Sequence, residues 1–149
     1  MKRSLLTFLL ILSLLCFASC GYKYFYTHEE LSDGLISVEI VNVHSRSREQ
    51  DMSVERIETL KSLNKEEIVQ CLDCLTKIEF YRISAMSSPI HVVGKAIKLN
   101  YENRSYNSLI IAAYGVLPYY GPGDEIFYTQ YVGDFEKIDS LIALFLEIH

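Results

Sequence analysis

The chain has 149 residues, with 14 Lys and Arg against 19 Asp and Glu, a formal net charge of −5 and four cysteines. A length of this order fits one domain with a core that needs neither a metal nor a disulfide framework. An acidic chain without a basic run excludes nucleic acid as a partner, and electrostatic docking on anionic lipid as a means of attachment.

Met1-Lys2-Arg3-Ser4 is a short basic opening, followed by an apolar run over 5–18 broken only by Thr7 and Ser13. This is the grammar of a secretory signal over 1–19, not of a folded element. As a helix the run reaches about 21 Å, too short for a hydrocarbon core of about 30 Å. Ala18-Ser19 ahead of Cys20-Gly21 resembles the lipobox of bacterial lipoproteins, with Phe17 where that family usually has Leu. The resemblance implies cleavage before Cys20, a diacylglycerol on that cysteine, and a mature chain held on the extracytoplasmic side of the cell membrane. Two acyl chains meet the requirement for stable anchoring. Losing Lys2 and Arg3 takes the 14 basic residues to 12 against 19 acidic ones, a net charge of −7. Cys16 would leave with the signal and Cys20 would carry lipid, so Cys71 and Cys74 alone remain, too few for a disulfide framework.

Residues 20–33 read as anchor and tether, and 34–149 as a single domain. The aromatics Tyr22, Tyr24, Phe25 and Tyr26 either pack onto that domain, the favoured reading, or sit in the headgroup layer. Residues 34–43 are β-branched, with Ile36, Val38 and Ile40 on one face, and predict a strand. Residues 44–51 are polar and read as a solvated loop, with a second strand over 52–60. Asn64 followed by Glu67 is a capping box, and Leu63 with Ile68 a hydrophobic staple, so a helix runs from 64 to about 76. Period two returns at 78–83. After a loop over 84–89, Ile97, Leu99 and Tyr101 mark a strand. Asn103-Arg104 reads as a hairpin turn into a return strand over 106–113. Pro118, Gly121, Pro122 and Gly123 make 118–124 a turn cluster, and 126–132 a further strand. Asp134 caps a last helix with Phe135, Ile138, Leu141, Ile142 and Phe145 in one stripe.

Strands on short turns with two interrupting helices predict an α+β fold. The expected form is an antiparallel sheet of about five or six strands, with one central and one C-terminal helix on one face. From Ile36 onward the layout resembles a loose group of small bacterial lipoproteins. Their run of Gly-Lys-Ala-Ile with a hairpin close behind stands here as Gly94-Lys95-Ala96-Ile97, leading to Asn103, with Arg104 where the group usually has Gly. This resemblance implies a fold and an address, and no activity.

Little in the chain points to chemistry. Cys71-Leu72-Asp73-Cys74 reads first as two small core residues at i and i+3 on a helix. The competing readings are a disulfide without catalytic role and, last, a redox pair of the cell envelope. The redox pair suffers from a position beyond the helix N-terminus and from Asp73, which would raise a thiol pKa. His28, His44, His91 and His149 are scattered singly, so no zinc site is expected. Gly94-Lys95 lacks the upstream Gly of a phosphate loop, and no serine stands in a nucleophile elbow. The expectation is therefore a module that binds and does not catalyse, without cofactor, metal or catalytic residues. Its partners would be the membrane, through Cys20, and a protein or glycan of the envelope. The candidate binding loop is 118–124. There Tyr119 and Tyr120, being consecutive, would point to opposite sides of an extended segment.

Overall fold

A computed structural model describes residues 23–48, 51–82, 93–121 and 131–147. The leader, Cys20, the loop at 84–89, His91, His149 and most of the expected turn and strand over 122–130 lie outside the described residues. In chain order the elements are β1 (Lys23–Tyr24), α1 (His28–Ser32), β2 (Leu35–Arg48), β3 (Asp51–Ser62), α2 (Lys65–Leu75), β4 (Phe80–Arg82), β5 (Gly94–Tyr101), β6 (Ser108–Ala112), β7 (Gly115–Tyr119), β8 (Tyr131–Gly133) and α3 (Phe135–Glu147).

The class is α+β, as the patterning predicts, with the strands divided between two antiparallel sheets. The larger has the order β3-β2-β5-β6-β7 and the smaller β1-β4-β8. Strict alternation explains the main core. Val38 and Ile40 of β2, Ile97, Leu99 and Tyr101 of β5, and Leu109 and Ile111 of β6 share one face. They bury against Leu72 and Leu75 of α2 and Ile138, Ile142 and Phe145 of α3. Asn64 and Glu67 form the expected capping box, each accepting the other's backbone N–H at 2.9 Å. Lys61 ties the two long helices to β3, donating to Glu67 at 2.9 Å and to the Phe145 carbonyl at 2.8 Å.

The opposite face of the large sheet is also partly apolar. Val41, Val43, Val54, Ala96, Ile110 and Leu117 form a second buried cluster. Beside it runs a polar ladder: Lys98 reaches Glu39 at 3.2 Å, and Asn100 bonds both Ser37 at 2.9 Å and Glu39 at 3.1 Å. The buried Ser108 hydroxyl completes it, donating to Asn100 Oδ1 at 2.8 Å.

Several expectations are revised. Residues 44–48 and 51 are strand, not loop, because β2 and β3 pair from Glu39↔Ser62 out to Arg48↔Asp51. A register shift between Leu35 and Ser37 turns Ile36 out, while Leu35 packs on the core. The expected turn cluster starts as strand β7, where Pro118 is tolerated because β7 is a sheet edge. Phe135 of the C-terminal stripe is exposed, as is Leu144 on the same helix. The greatest difference concerns the tether. From Lys23 it is folded, with β1 paired to β4 and Leu31 of α1 fully buried.

Candidate functional site

Among the described residues, the candidate cleft is built on that folded segment. Thr27-His28-Glu29-Glu30 is itself a capping box. The Glu30 N–H donates to Thr27 Oγ1 at 3.1 Å, and the Thr27 N–H donates to Glu30 Oε2 at 2.7 Å. Gly34 ends the turn at φ +68°, a conformation only glycine adopts freely, and packs on the Glu102 carbonyl. A Cβ there would stand 2.6 Å from that oxygen.

One side chain from far along the chain holds this unit in place. Asn103, at φ 64°, turns the β5–β6 connection so that Arg104 reaches α1. Arg104 Nη2 donates to the Glu30 carbonyl at 2.6 Å and the Asp33 carbonyl at 2.7 Å, and Nη1 to the Tyr106 hydroxyl at 2.9 Å. Its guanidinium lies 3.8 Å above the Tyr101 ring. The Tyr101 hydroxyl in turn donates to the Leu31 carbonyl at 3.0 Å. Arg104 thus satisfies carbonyls that the short helix leaves orphaned and stacks on an aromatic face, which a lysine could not do together. Arg104→Lys and Arg104→Ala are therefore both expected to destabilise the protein, the alanine by about 2 kcal/mol. Urea denaturation of both variants checks this.

These residues wall an open cleft of about 450 Å³, lined by Tyr24, Tyr26, Glu29, Glu30, Asp33, Arg104 and Tyr106. The rings meet edge to face: Tyr24 on Tyr26 at 5.0 Å, Tyr26 on the buried Phe80 at 5.0 Å, and Tyr101 on Tyr106 at 5.9 Å. The Tyr24 hydroxyl donates to Glu30 at 2.5 Å. This bond, then those from Thr27, holds the Glu30 carboxyl below its usual pKa. The carboxylates of Glu29 and Asp33 have no hydrogen-bond or ion-pair partner among the described residues. With the guanidinium spent on carbonyls, the cleft offers aromatic contact area and acceptors.

No family model, curated protein or solved structure matches this chain. The site therefore rests on its own geometry.

The candidate loop residues fall at the border of the cleft. Tyr119 packs against the second apolar cluster, while Tyr120 is exposed and set edge-on to Tyr106 at 6.5 Å. Tyr119 is the last residue of β7 and Tyr120 follows it, and the two rings meet different groups. Asn107 holds this end of β7, donating its N–H to the Tyr119 carbonyl at 3.0 Å and its side-chain amide to the Tyr120 carbonyl.

Cys71 and Cys74 lie elsewhere, on α2, as free thiols. Cys71 is fully buried in the core, and burial, with Cys74 nearby, pushes its pKa up to about 12. A thiol held protonated is a poor nucleophile. Because its folded pKa exceeds the unfolded value of 9.0, it stabilises the fold fully below that pH. That contribution is lost as the pH climbs toward about 12. Replacing both cysteines with Ala is expected to cost about 1–3 kcal/mol at neutral pH and to reduce the alkaline loss of stability, read from melting curves over a pH series.

Among the described residues no group of three or more His, Cys, Asp or Glu could hold a metal ion. No helix among them is long and apolar enough to cross a membrane. Sequence reading missed Glu29, Glu30, Asp33, Arg104 and Tyr106 as site residues. The Thr27-x-x-Glu30 box followed by Asp33-Gly34 was the available signal for the first three.

Proposed function

We propose that the protein is a lipid-anchored extracytoplasmic lipoprotein that binds a partner in the cleft and catalyses nothing. Support for the anchor is the leader grammar over 1–19 and the Ala18-Ser19-Cys20 junction. The observation that carries the binding reading is the cleft itself: tyrosine rings beside the Glu29 and Asp33 carboxylates, which have no partner among the described residues, opening onto solvent. Rings of this kind give contact area at low entropic cost. The carboxylates of Glu29, Glu30 and Asp33 outnumber the one Arg104 guanidinium, so the cleft favours a partner that presents a cationic or hydrogen-donating group. A basic segment of an envelope protein or an amine-bearing glycan meets that description.

The test uses charge-neutral replacements that leave the shape intact. Full-length protein and its Glu29→Gln/Asp33→Asn variant are purified in detergent and used to capture components of a solubilised envelope fraction. The variant is expected to keep its melting temperature and to bind the captured species about tenfold more weakly, a difference of about 1.4 kcal/mol. Equal capture by both proteins would place binding outside the cleft.

A further inference from the structure

Lys23, the first residue of β1, pairs with Tyr81 of β4, and only Gly21 and Tyr22 separate it from Cys20. Three residues reach at most about 11 Å, not far beyond the polar layer of a bilayer, roughly 5–8 Å on each side of the hydrocarbon. A lipid on Cys20 therefore allows the small sheet no slack. Alternation along 23–26 decides which side of it meets the membrane. Tyr24 and Tyr26 turn inward to the cleft, whereas Lys23 and Phe25 stay out, Phe25 being 48% exposed.

The outward side is unusually aromatic. Tyr81, across the ladder from Lys23, is 42% exposed. Phe135 and Tyr114, 43% and 54% exposed, meet at a tilt with their ring centroids 5.1 Å apart. They adjoin the same place, because the N–H of Asp134 donates to the Glu79 carbonyl, and the Glu79 carboxylate holds Lys23 at 2.6 Å. One exposed ring is ordinary, but four around the first described residues after an anchor form a patch. The two lysines among them are paired, Lys23 with Glu79 and Lys137 with Asp134 at 3.0 Å. Amphipathic rings and lysines with little net charge suit the headgroup level.

We infer that the outer face of the small sheet, carrying Lys23, Phe25 and Tyr81 with Phe135 and Tyr114 beside them, rests in the headgroup layer of the membrane that holds Cys20. This rests on the lipid-anchor reading. It adds that the domain is not a free particle on a leash but is seated in one orientation, with the cleft on the other side of β1 left open.

The chain contains no tryptophan, so a single one reports its own surroundings. Phe25→Trp, Tyr81→Trp and, as control, Leu60→Trp are made in the full lipidated protein. Leu60 is exposed on β3, at the far edge of the large sheet from β7, against which β8 lies. Each protein is reconstituted into phosphatidylcholine vesicles with brominated acyl chains and checked by flotation. Phe25→Trp and Tyr81→Trp are expected to emit to the blue of Leu60→Trp and to be quenched by the brominated lipid, at low and high salt alike. If the protein floats with the vesicles but neither tryptophan is quenched more than that of Leu60→Trp, the inference is overturned and the anchor stands. Blue emission without quenching would also overturn it, since a second copy or another protein would then cover the face. If the protein does not float at all, the anchor reading fails and takes the inference with it.

Discussion

Phe80→Ala is expected to destabilise the fold by about 3–5 kcal/mol, among the largest effects available to a single truncation here. The ring is fully buried and belongs to the main core with Leu31, Ile138 and Phe145. It lies where three elements meet: β4 is the central strand of the small sheet, Phe80 pairs with Tyr24 on one side and Gly133 on the other, and Tyr26 stands edge-on to it. Gly133 is glycine for the same reason, since a Cβ there would collide with Ile138 and come within 2.9 Å of the Phe80 ring. Truncation therefore empties a space in the main core and loosens the segment on which the cleft is built. Equilibrium denaturation in urea checks the cost, with a fall in midpoint and an unchanged slope expected for a two-state loss of packing. A change under 1 kcal/mol would mean that the small sheet is not part of the cooperative unit.

Cys20→Ala is expected to block lipid attachment. No described helix can span a bilayer, the chain carries no basic run to dock on anionic lipid, and the rings around Phe25 are too few to hold the domain alone. A single acyl chain binds only marginally, so removal of both leaves nothing of comparable strength. Fractionation of cells expressing the variant should find it uncut or released to the soluble phase. Processing at the same bond with retention on membranes in high salt would contradict this.

How much of this was legible in the sequence depended on the distance over which each signal acts. The Asn64/Glu67 box, the period-two run at Ile97 and the return run around Leu109 are local, and each became the element expected. Residues 44–51 read as loop because beyond Val43 the hairpin carries a polar sequence, and pairing to the neighbouring strand holds it extended without an apolar stripe. Strand β7 was hidden by Pro118 and the glycines after it, although an edge strand tolerates proline. Helix α1 is five residues long with one buried side chain, Leu31, so it has no period to detect.

The cleft was less legible than the fold. Arg104 meets its acceptors 71 and 74 residues away, and no local pattern encodes that meeting. It stands where glycine was the expected turn residue, and the positive φ fell instead on Asn103, which tolerates it. Tyr119 and Tyr120 were singled out for their rings alone. Only the fold shows that Tyr120 adjoins the cleft through Tyr106, while Tyr119 faces the second cluster.

The account turns on the chain being held at the membrane by Cys20, with the cleft a few residues away. The most direct measurement is the mass of the N-terminal peptide from protein isolated out of the membrane fraction. The account predicts a chain beginning at Cys20 and carrying a diacylglycerol. A chain that keeps Met1, or one that begins at an unmodified Cys20, would contradict it.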